Sequence, residues 1–113
     1  MHISLKTALS HLPLPATAKW PEGVWDKVVL EHGTMSVIVF APRGRDYQTT
    51  HKQDELYIVI KGSGTLMVED TPHPFVEGDV LFVPAERLHR FSEFSPDLVT
   101  WAIFWGAKGG ERA

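Results

Sequence analysis

Short apolar runs separated by closely spaced turns extend from residue 27 to residue 105, and no long helical pattern interrupts them. Runs of about four to eight residues that are rich in β-branched and aromatic side chains, with glycine or proline between them, are typical of strands. Many short strands without long helices fold as a sandwich or a barrel, so the sequence predicts an all-β protein. The predicted strands cover residues 27–30, 35–40, 55–60, 65–69, 74–76, 80–83, 89–91 and 98–105.

The length of 113 residues suits one domain, residues 1–113. We expect the barrel to occupy about residues 25–105 and the glycine-rich tail at 106–113 to be flexible. Before the barrel, apolar residues on one face of residues 1–12 predict a short helix capped by Ser4, with an extended segment as the alternative. Three prolines in the stretch that follows predict an extended connector.

The composition excludes several classes of protein and site. The chain has no cysteine, so disulfides and thiolate chemistry are excluded, and a metal would have to use histidine, aspartate or glutamate. A net charge of -3 gives no electrostatic reason to expect nucleic acid or an anionic membrane. The N-terminus lacks the continuous apolar stretch of a signal peptide, and no run approaches the roughly 20 apolar residues of a membrane span. We therefore expect a cytoplasmic protein without nucleic-acid or membrane partners.

Two predicted strands, at residues 56–60 and 80–83, are apolar on both faces. One face of an antiparallel sheet usually contacts water, so a strand without a polar face needs a cover on each side. The barrel interior covers one side. In so short a chain a second subunit is the most economical cover for the other, and we predict a homodimer. The alternative is that the N-terminal segment, with Trp20 and Trp25, covers that face.

Three residues combine the chemistry and spacing of a metal site. His51 and Glu55 are four residues apart, and positions two apart on a strand share a face, so both side chains would point the same way. His89 follows a turn that contains Pro84 and begins a later strand, which we expect to lie beside the first. Two imidazoles and a carboxylate on one face can hold a divalent cation and leave other coordination positions open. The alternative is that His51 caps a strand end, while Glu55 and His89 form a simple ion pair.

The residues around this set resemble the two motifs of the cupin family. The first motif is matched by Gly44, His51, Glu55 and Gly62, and the second by Gly78, Pro84 and His89. The phrase at residues 54–57 and the phrase at 78–84 also look like those of small single-domain cupins. The resemblance implies a jelly-roll β-barrel, which closes most of its strand edges, with His51, Glu55 and His89 as metal ligands inside the barrel mouth.

The sequence departs from the cupin motifs at three positions. Thr49 stands where the family usually has a further histidine, Glu86 where it has a glycine, and Glu93 where an asparagine often follows the last histidine. The resemblance therefore implies three protein ligands instead of four, with water completing the shell. Thr49 and Gln53 are further candidate donors, and Gln48 is another.

The metal and the reaction are left open between several alternatives. Two histidines and a carboxylate suit Fe(II), Zn(II), Mn(II) or Ni(II). The resemblance implies a metal-dependent oxygenase, isomerase or lyase that acts on a small molecule, in which Tyr57 or Glu86 would move protons; Tyr57 is also suited to filling the barrel. The alternative is a non-catalytic module that binds a small-molecule ligand, and the threonine at position 49 favours it. Asp46 is predicted to lie in a solvated loop, or at a polar rim of the pocket.

Overall fold

The structure is a computed structural model that describes residues 1–112 and contains one short helix and eight strands. Each predicted strand corresponds to one observed strand, so the prediction of an all-β fold is confirmed. The helix α1 spans Leu5–Ser10, and the strands are β1 (Asp26–His32), β2 (Met35–Phe40), β3 (Asp54–Lys61), β4 (Gly64–Val68), β5 (Thr71–Phe75), β6 (Val80–Val83), β7 (His89–Phe94) and β8 (Val99–Trp105).

The strands form two antiparallel sheets. The larger has the order β1-β2-β8-β3-β6, and the smaller has the order β5-β4-β7. Strand β8 lies between β2 and β3, although it comes last in the chain, so the sheets are not built from successive hairpins alone. The predicted jelly-roll arrangement is confirmed.

Aromatic and aliphatic side chains fill the space between the two sheets. Along β3, Tyr57 and Val59 point inward and are buried, whereas Leu56 and Ile58 are partly exposed. The Phe91 ring on β7, which belongs to the smaller sheet, lies 5.0 Å from the Tyr57 ring, measured between centroids. Because side chains alternate along β3, Glu55 also points inward and is buried inside the protein. The buried apolar cluster consists of Phe40, Tyr57, Val59, Leu66, Phe75, Val83, Phe91, Leu98 and Ala102.

The opposite side of the larger sheet carries an apolar surface, which we call the outer sheet face. Leu56 pairs with Phe82 on one side and with Ile103 on the other, and Phe82 is 53% exposed. On β8 the residues Ala102 and Phe104 are buried inside the barrel, so their neighbours belong to this face. The outer sheet face consists of Val37, Leu56, Ile58, Val80, Phe82, Trp101, Ile103 and Trp105.

The N-terminal helix forms as predicted, and Ser4 caps it by accepting a hydrogen bond from the backbone N–H of Thr7. The helix packs against β2, where Val39 is completely buried, and Ile3 reaches the margin of the outer sheet face. No helix within residues 1–112 is long and apolar enough to span a membrane.

The two N-terminal tryptophans do not cover the outer sheet face. The Trp20 ring lies 6.5 Å from the Phe40 ring and faces a cavity at the barrel mouth. The Trp25 ring lies 5.0 Å below the guanidinium of Arg43. The N-terminal segment thus covers only the margin of the outer sheet face next to β2. Most apolar residues of the outer sheet face remain partly or largely exposed.

The C-terminal tail, which the sequence predicts to be flexible, is hydrogen-bonded to the loop before β3. The backbone N–H of Gly109 donates to the carbonyl of Lys52, and that of Glu111 donates to a carboxylate oxygen of Asp54. These bonds hold the tail against the loop that precedes Glu55. Residue 113 lies outside the described residues.

Candidate metal centre

The structure brings His51, Glu55 and His89 together in the barrel. One donor atom from each residue lies within 4.8 Å of the others. Nε2 of His89 is 3.0 Å from Oε1 of Glu55, and Nε2 of His51 is 4.0 Å from the same oxygen. The three residues whose chemistry indicates a metal site therefore converge on one point.

The expectation that His89 lies on a strand beside that of Glu55 is wrong. Glu55 is on β3 of the larger sheet, whereas His89 begins β7 of the smaller sheet. Inward side chains of two packed sheets meet in the space between them, which is about 10 Å wide. The two residues therefore approach each other across the barrel and not along one sheet.

The position of His51 also differs from the one that strand periodicity predicts. It lies in the loop before β3, which begins at Asp54, so the four-residue spacing to Glu55 does not reflect a shared strand face. The backbone N–H of Glu86 donates a 2.6 Å hydrogen bond to the His51 carbonyl, and the Phe104 ring packs edge-on against the imidazole at 4.7 Å. The His51 side chain remains 33% exposed, so this imidazole faces the opening of the site.

The orientation of His89 is fixed by its second ring nitrogen. Nδ1 lies 2.9 Å from the backbone carbonyl of Arg87, and because a carbonyl only accepts, Nδ1 carries the proton of this hydrogen bond. In the neutral imidazole Nε2 then presents a lone pair toward Glu55. A metal-ligating histidine is held in this way in most proteins, with its other nitrogen donating to a carbonyl or carboxylate.

Two buried donor atoms at this site lack a hydrogen-bonding partner among the described residues. They are Oε1 of Glu55 and Nε2 of His89, whose side chains are only 3% and 1% exposed. Their 3.0 Å separation is short, but the two atoms are not aligned for a hydrogen bond. Two ligands at about 2.1 Å from one ion, at a right angle, are also separated by about 3.0 Å. The residues present therefore fit a divalent cation.

The electrostatics of the three residues differ with their surroundings. Burial lowers the pKa of His51 to about 4, and the charges of His89 and Lys19 act in the same direction, so this imidazole is neutral and free to bind a metal at neutral pH. Burial raises the pKa of Glu55, although His89 opposes the shift. Burial alone would lower the pKa of His89, but the nearby Glu55 carboxylate and the hydrogen bond to the Arg87 carbonyl outweigh it, and the net shift is upward.

The sequence did not predict a chain of buried polar side chains next to the candidate metal ligands. The Asp46 side chain accepts hydrogen bonds from the backbone of Phe91 and Gln48 and from the Gln48 amide, at 2.6 to 3.0 Å. The Gln48 carbonyl oxygen in turn accepts from the hydroxyl of Tyr57 at 2.9 Å. Asp46 is 7% exposed, so the prediction of a solvated loop or rim is wrong at this residue. Its loop carries no periodic pattern that would have indicated burial.

The residues considered for proton transfer lie outside the cavity. Tyr57 is completely buried, and its hydroxyl donates to Gln48. Glu86 has an exposed side chain and a backbone φ of 65°, which explains why the cupin motif has glycine at this position. What Glu86 contributes to the site is its backbone N–H, which holds the loop of His51.

The additional candidate donors are also engaged elsewhere. The Thr49 hydroxyl accepts a 3.3 Å hydrogen bond from Nζ of Lys19. The Gln53 amide donates to the backbone carbonyls of Thr34 and Gly106, at 2.8 and 2.9 Å, and so joins the tail to the β1–β2 turn. The structure therefore places neither side chain among the three converging donors.

A cavity of about 180 Å³ adjoins two of the candidate metal ligands, His51 and Glu55. His51 and Glu55 contribute to one part of its wall, and Lys19 and Asp26 to another. The remaining walls are mainly apolar. The cavity is lined by Lys19, Trp20, Asp26, Ile38, Phe40, Gln48, His51, Glu55, Ala102 and Phe104. A larger, more open cleft of about 650 Å³ between the β1–β2 turn and the tail also borders His51, but neither Glu55 nor His89 lines it. The smaller cavity is therefore the better candidate for binding a small molecule next to the three converging donors.

Known proteins resemble this chain in sequence and in fold. The uncharacterized protein SCO3923 of Streptomyces coelicolor is 36% identical over 59 residues, which cover 52% of this chain and 56% of that protein. The chain thus spans little more than half the length of this relative. The structure of NMB1881 from Neisseria meningitidis is similar with a TM-score of 0.68 and 19% identity, over 94% of this chain and 100% of that one. KdgF from Halomonas sp. is similar with a TM-score of 0.62 and 17% identity, over 74% of this chain and 78% of that one.

These structural similarities concern the fold. The family is shown by the sequence, because the model of the cupin domain aligns with residues 36–103, from the second strand to the last. This segment includes both motifs and all three converging donors. On this basis the chain belongs to the cupin family.

Proposed function

We propose that this protein is a metal-dependent cupin that holds one divalent cation with His51, Glu55 and His89 and acts on a small molecule in the adjoining cavity. The observation that carries the proposal is the pair of buried atoms, Oε1 of Glu55 and Nε2 of His89, that lack hydrogen bonds and lie 3.0 Å apart. Buried polar atoms are almost always satisfied, and one cation would satisfy both.

A bound Zn, Mn or Ni ion would act as a Lewis acid that polarises an oxygen of the small molecule, which suits isomerase or lyase chemistry, whereas Fe(II) in the same set of ligands would also suit an oxygenase. The chain supplies the surroundings for such a reaction. Arg87 fixes the orientation of His89, and Phe104 packs against His51. The apolar walls near Phe40 and Phe104 exclude water from the ligand and strengthen electrostatic interactions inside the cavity.

A second candidate function is binding without conversion. It is favoured by the positions of Tyr57 and Glu86, since neither lines the cavity. The Tyr57 hydroxyl is already bonded to Gln48, and the Glu86 side chain is exposed. A protein that uses the metal only to hold its ligand needs no separate group for proton transfer.

Elemental analysis of the protein, purified without a histidine tag, tests the metal proposal. We expect close to one equivalent of a divalent metal per chain, and metal-dependent turnover in a screen of small oxo and hydroxy acids would identify an enzyme. One equivalent of metal and ligand binding without turnover would identify a binding module. Protein that takes up no Zn(II), Mn(II), Fe(II) or Ni(II) when each is titrated would contradict both.

We also propose that the outer sheet face mediates a homodimer. Support comes from Phe82 and Val80, which are 53% and 60% exposed on this face, and from the failure of the N-terminal segment to cover it. A contiguous apolar surface of this kind is typical of a protein interface. Solvent-facing apolar residues at the centre of a dimer would become buried, which stabilises the association.

Light scattering tests the dimer with a matched pair of variants. We expect a mass of twice 12.7 kDa for the wild type and the monomer mass for Phe82→Glu, because a charge on the outer sheet face would have to be buried without a partner. Val76→Glu should remain dimeric, since Val76 is 60% exposed but lies in the turn after β5. A wild-type mass near 12.7 kDa at micromolar concentration would rule out the dimer.

A further inference from the structure

We propose that the small molecule bound in the cavity carries a carboxylate, and that Lys19 binds this group at the barrel mouth. The inference rests on the proposed function, because it names the class of ligand for the same cavity. It concerns a residue of the N-terminal connector, which lies outside the segment that matches the cupin domain.

Lys19 is held over the cavity by two contacts. Its ammonium donates a 3.3 Å hydrogen bond to the Thr49 hydroxyl and lies 5.9 Å from the centroid of the Trp20 ring. Both Lys19 and Trp20 line the cavity that contains His51 and Glu55. The position of the ammonium group is therefore set by neighbours on two different segments of the chain.

Lys19 forms no close ion pair with another described residue. Across residues 1–112 no carboxylate oxygen lies within 4.0 Å of its ammonium. Asp26 lines the same cavity, and its carboxylate interacts with the charge of Lys19 only over a longer distance. An exposed ammonium without a close ion pair, at the edge of a cavity with apolar walls, attracts an anion, and a charge-assisted hydrogen bond to a carboxylate is the strong interaction available to it.

The hydrogen bond between Lys19 and Thr49 involves the position at which this chain lacks a histidine of the cupin motif. The cupin motif usually places a histidine at this position, and here a hydroxyl binds Lys19 instead. Thr49 thus contacts the ammonium of Lys19 and is not among the three converging donors. An anionic oxygen from the ligand would complement both the reduced set of protein donors and the ammonium of Lys19.

The dimensions of the cavity limit the size of the ligand. A volume of about 180 Å³ corresponds to about six waters of liquid. The side chains of Ile38, Phe40 and Ala102 would contact an aliphatic body. The ligand class that fits is a short-chain carboxylic acid with a second oxygen function that can approach the three metal-ligating residues.

Calorimetric titration of the zinc-loaded protein tests this inference, with malonate, succinate and glutarate as probes and their uncharged diamides as references. We expect at least one diacid to bind more tightly than its diamide. Lys19→Met should weaken that binding about tenfold, because it removes a hydrogen bond to a charged group. Lys19→Arg should restore most of the affinity, since it keeps the charge.

Lys6→Met is the matched control, because Lys6 is exposed on α1 and does not line the cavity. Equal affinities for Lys19→Met and Lys6→Met, or no preference of the wild type for any diacid, would overturn the inference. Metal content is measured on every sample. If the wild type binds no metal, the proposed function fails, and the same comparison of variants on metal-free protein still decides whether Lys19 binds a carboxylate.

Discussion

Replacing Glu55 by glutamine is expected to lower the affinity for a divalent metal by at least about 100-fold, since changes in the outer shell of a metal site already cost 10- to 100-fold. The substitution keeps the shape of the side chain and removes the negative charge. The free energy of unfolding of the metal-free protein should change by less than about 1 kcal/mol, because a neutral amide avoids the penalty of a buried charge. The glutamine amide would also lie within hydrogen-bonding distance of Nε2 of His89, 3.0 Å from the present Glu55 oxygen.

Competition titration with a metal indicator, together with urea unfolding of metal-free samples, measures both quantities. His51→Ala should weaken metal binding at least about tenfold with little effect on stability, because its side chain is 33% exposed. His73→Ala is the control, since His73 is exposed on β5 and outside the site. A Glu55→Gln variant that keeps wild-type metal affinity would show that this carboxylate is not a ligand.

Replacing Gly64 by alanine is expected to lower the free energy of unfolding by about 3 kcal/mol or more. This is the upper end of the range for substitutions that overfill a protein interior. A Cβ atom at this position would overlap the carbonyl oxygen of Glu93 and would lie 2.7 Å from Cα of Phe94. Both are backbone atoms of β7. Gly64 is on β4, the central strand of the smaller sheet, so β4 cannot move away from β7 without disturbing its pairing with β5.

The effect should extend to the metal centre, because the same pairing of β4 with β7 places Val68 opposite His89. Urea unfolding monitored by tryptophan fluorescence measures the loss of stability. Gly33→Ala provides the comparison, since nothing lies within 4 Å of its Cβ position and only its φ of 58° is strained, at about 1 to 2 kcal/mol. If Gly64→Ala and Gly33→Ala lowered the free energy of unfolding equally, β4 and β7 would not approach as closely as described.

Local patterns were sufficient to predict the strands. Each apolar run between residues 27 and 105 forms a strand, and the alternation along β3 puts Glu55, Tyr57 and Val59 on its inward side, as expected from a period of two. The Ser4 cap and α1 follow from signals within a few residues of each other. In these cases the physical cause, a backbone conformation or a short-range hydrogen bond, is contained in the local sequence.

The residues of the candidate metal site could be predicted from the sequence, but the elements that carry them could not. The residue types and the motif spacing selected His51, Glu55 and His89, and the structure brings these three together. The predicted positions of two of them in the fold were wrong, because His51 lies in a loop and His89 lies on a strand of the opposite sheet. Asp46 was missed because its burial depends on Phe91, 45 residues away in the chain.

The sequence by itself determined which segments become strands, which of their side chains turn inward, and which side chains are able to bind a metal. Only the packing of one sheet on the other decided that His89 meets Glu55, that Tyr57 is bonded to Gln48, and that Lys19 comes to the mouth of the cavity. The reason is that a strand conformation depends on near neighbours, whereas contacts across a barrel depend on loop paths and sheet registers that no short segment specifies.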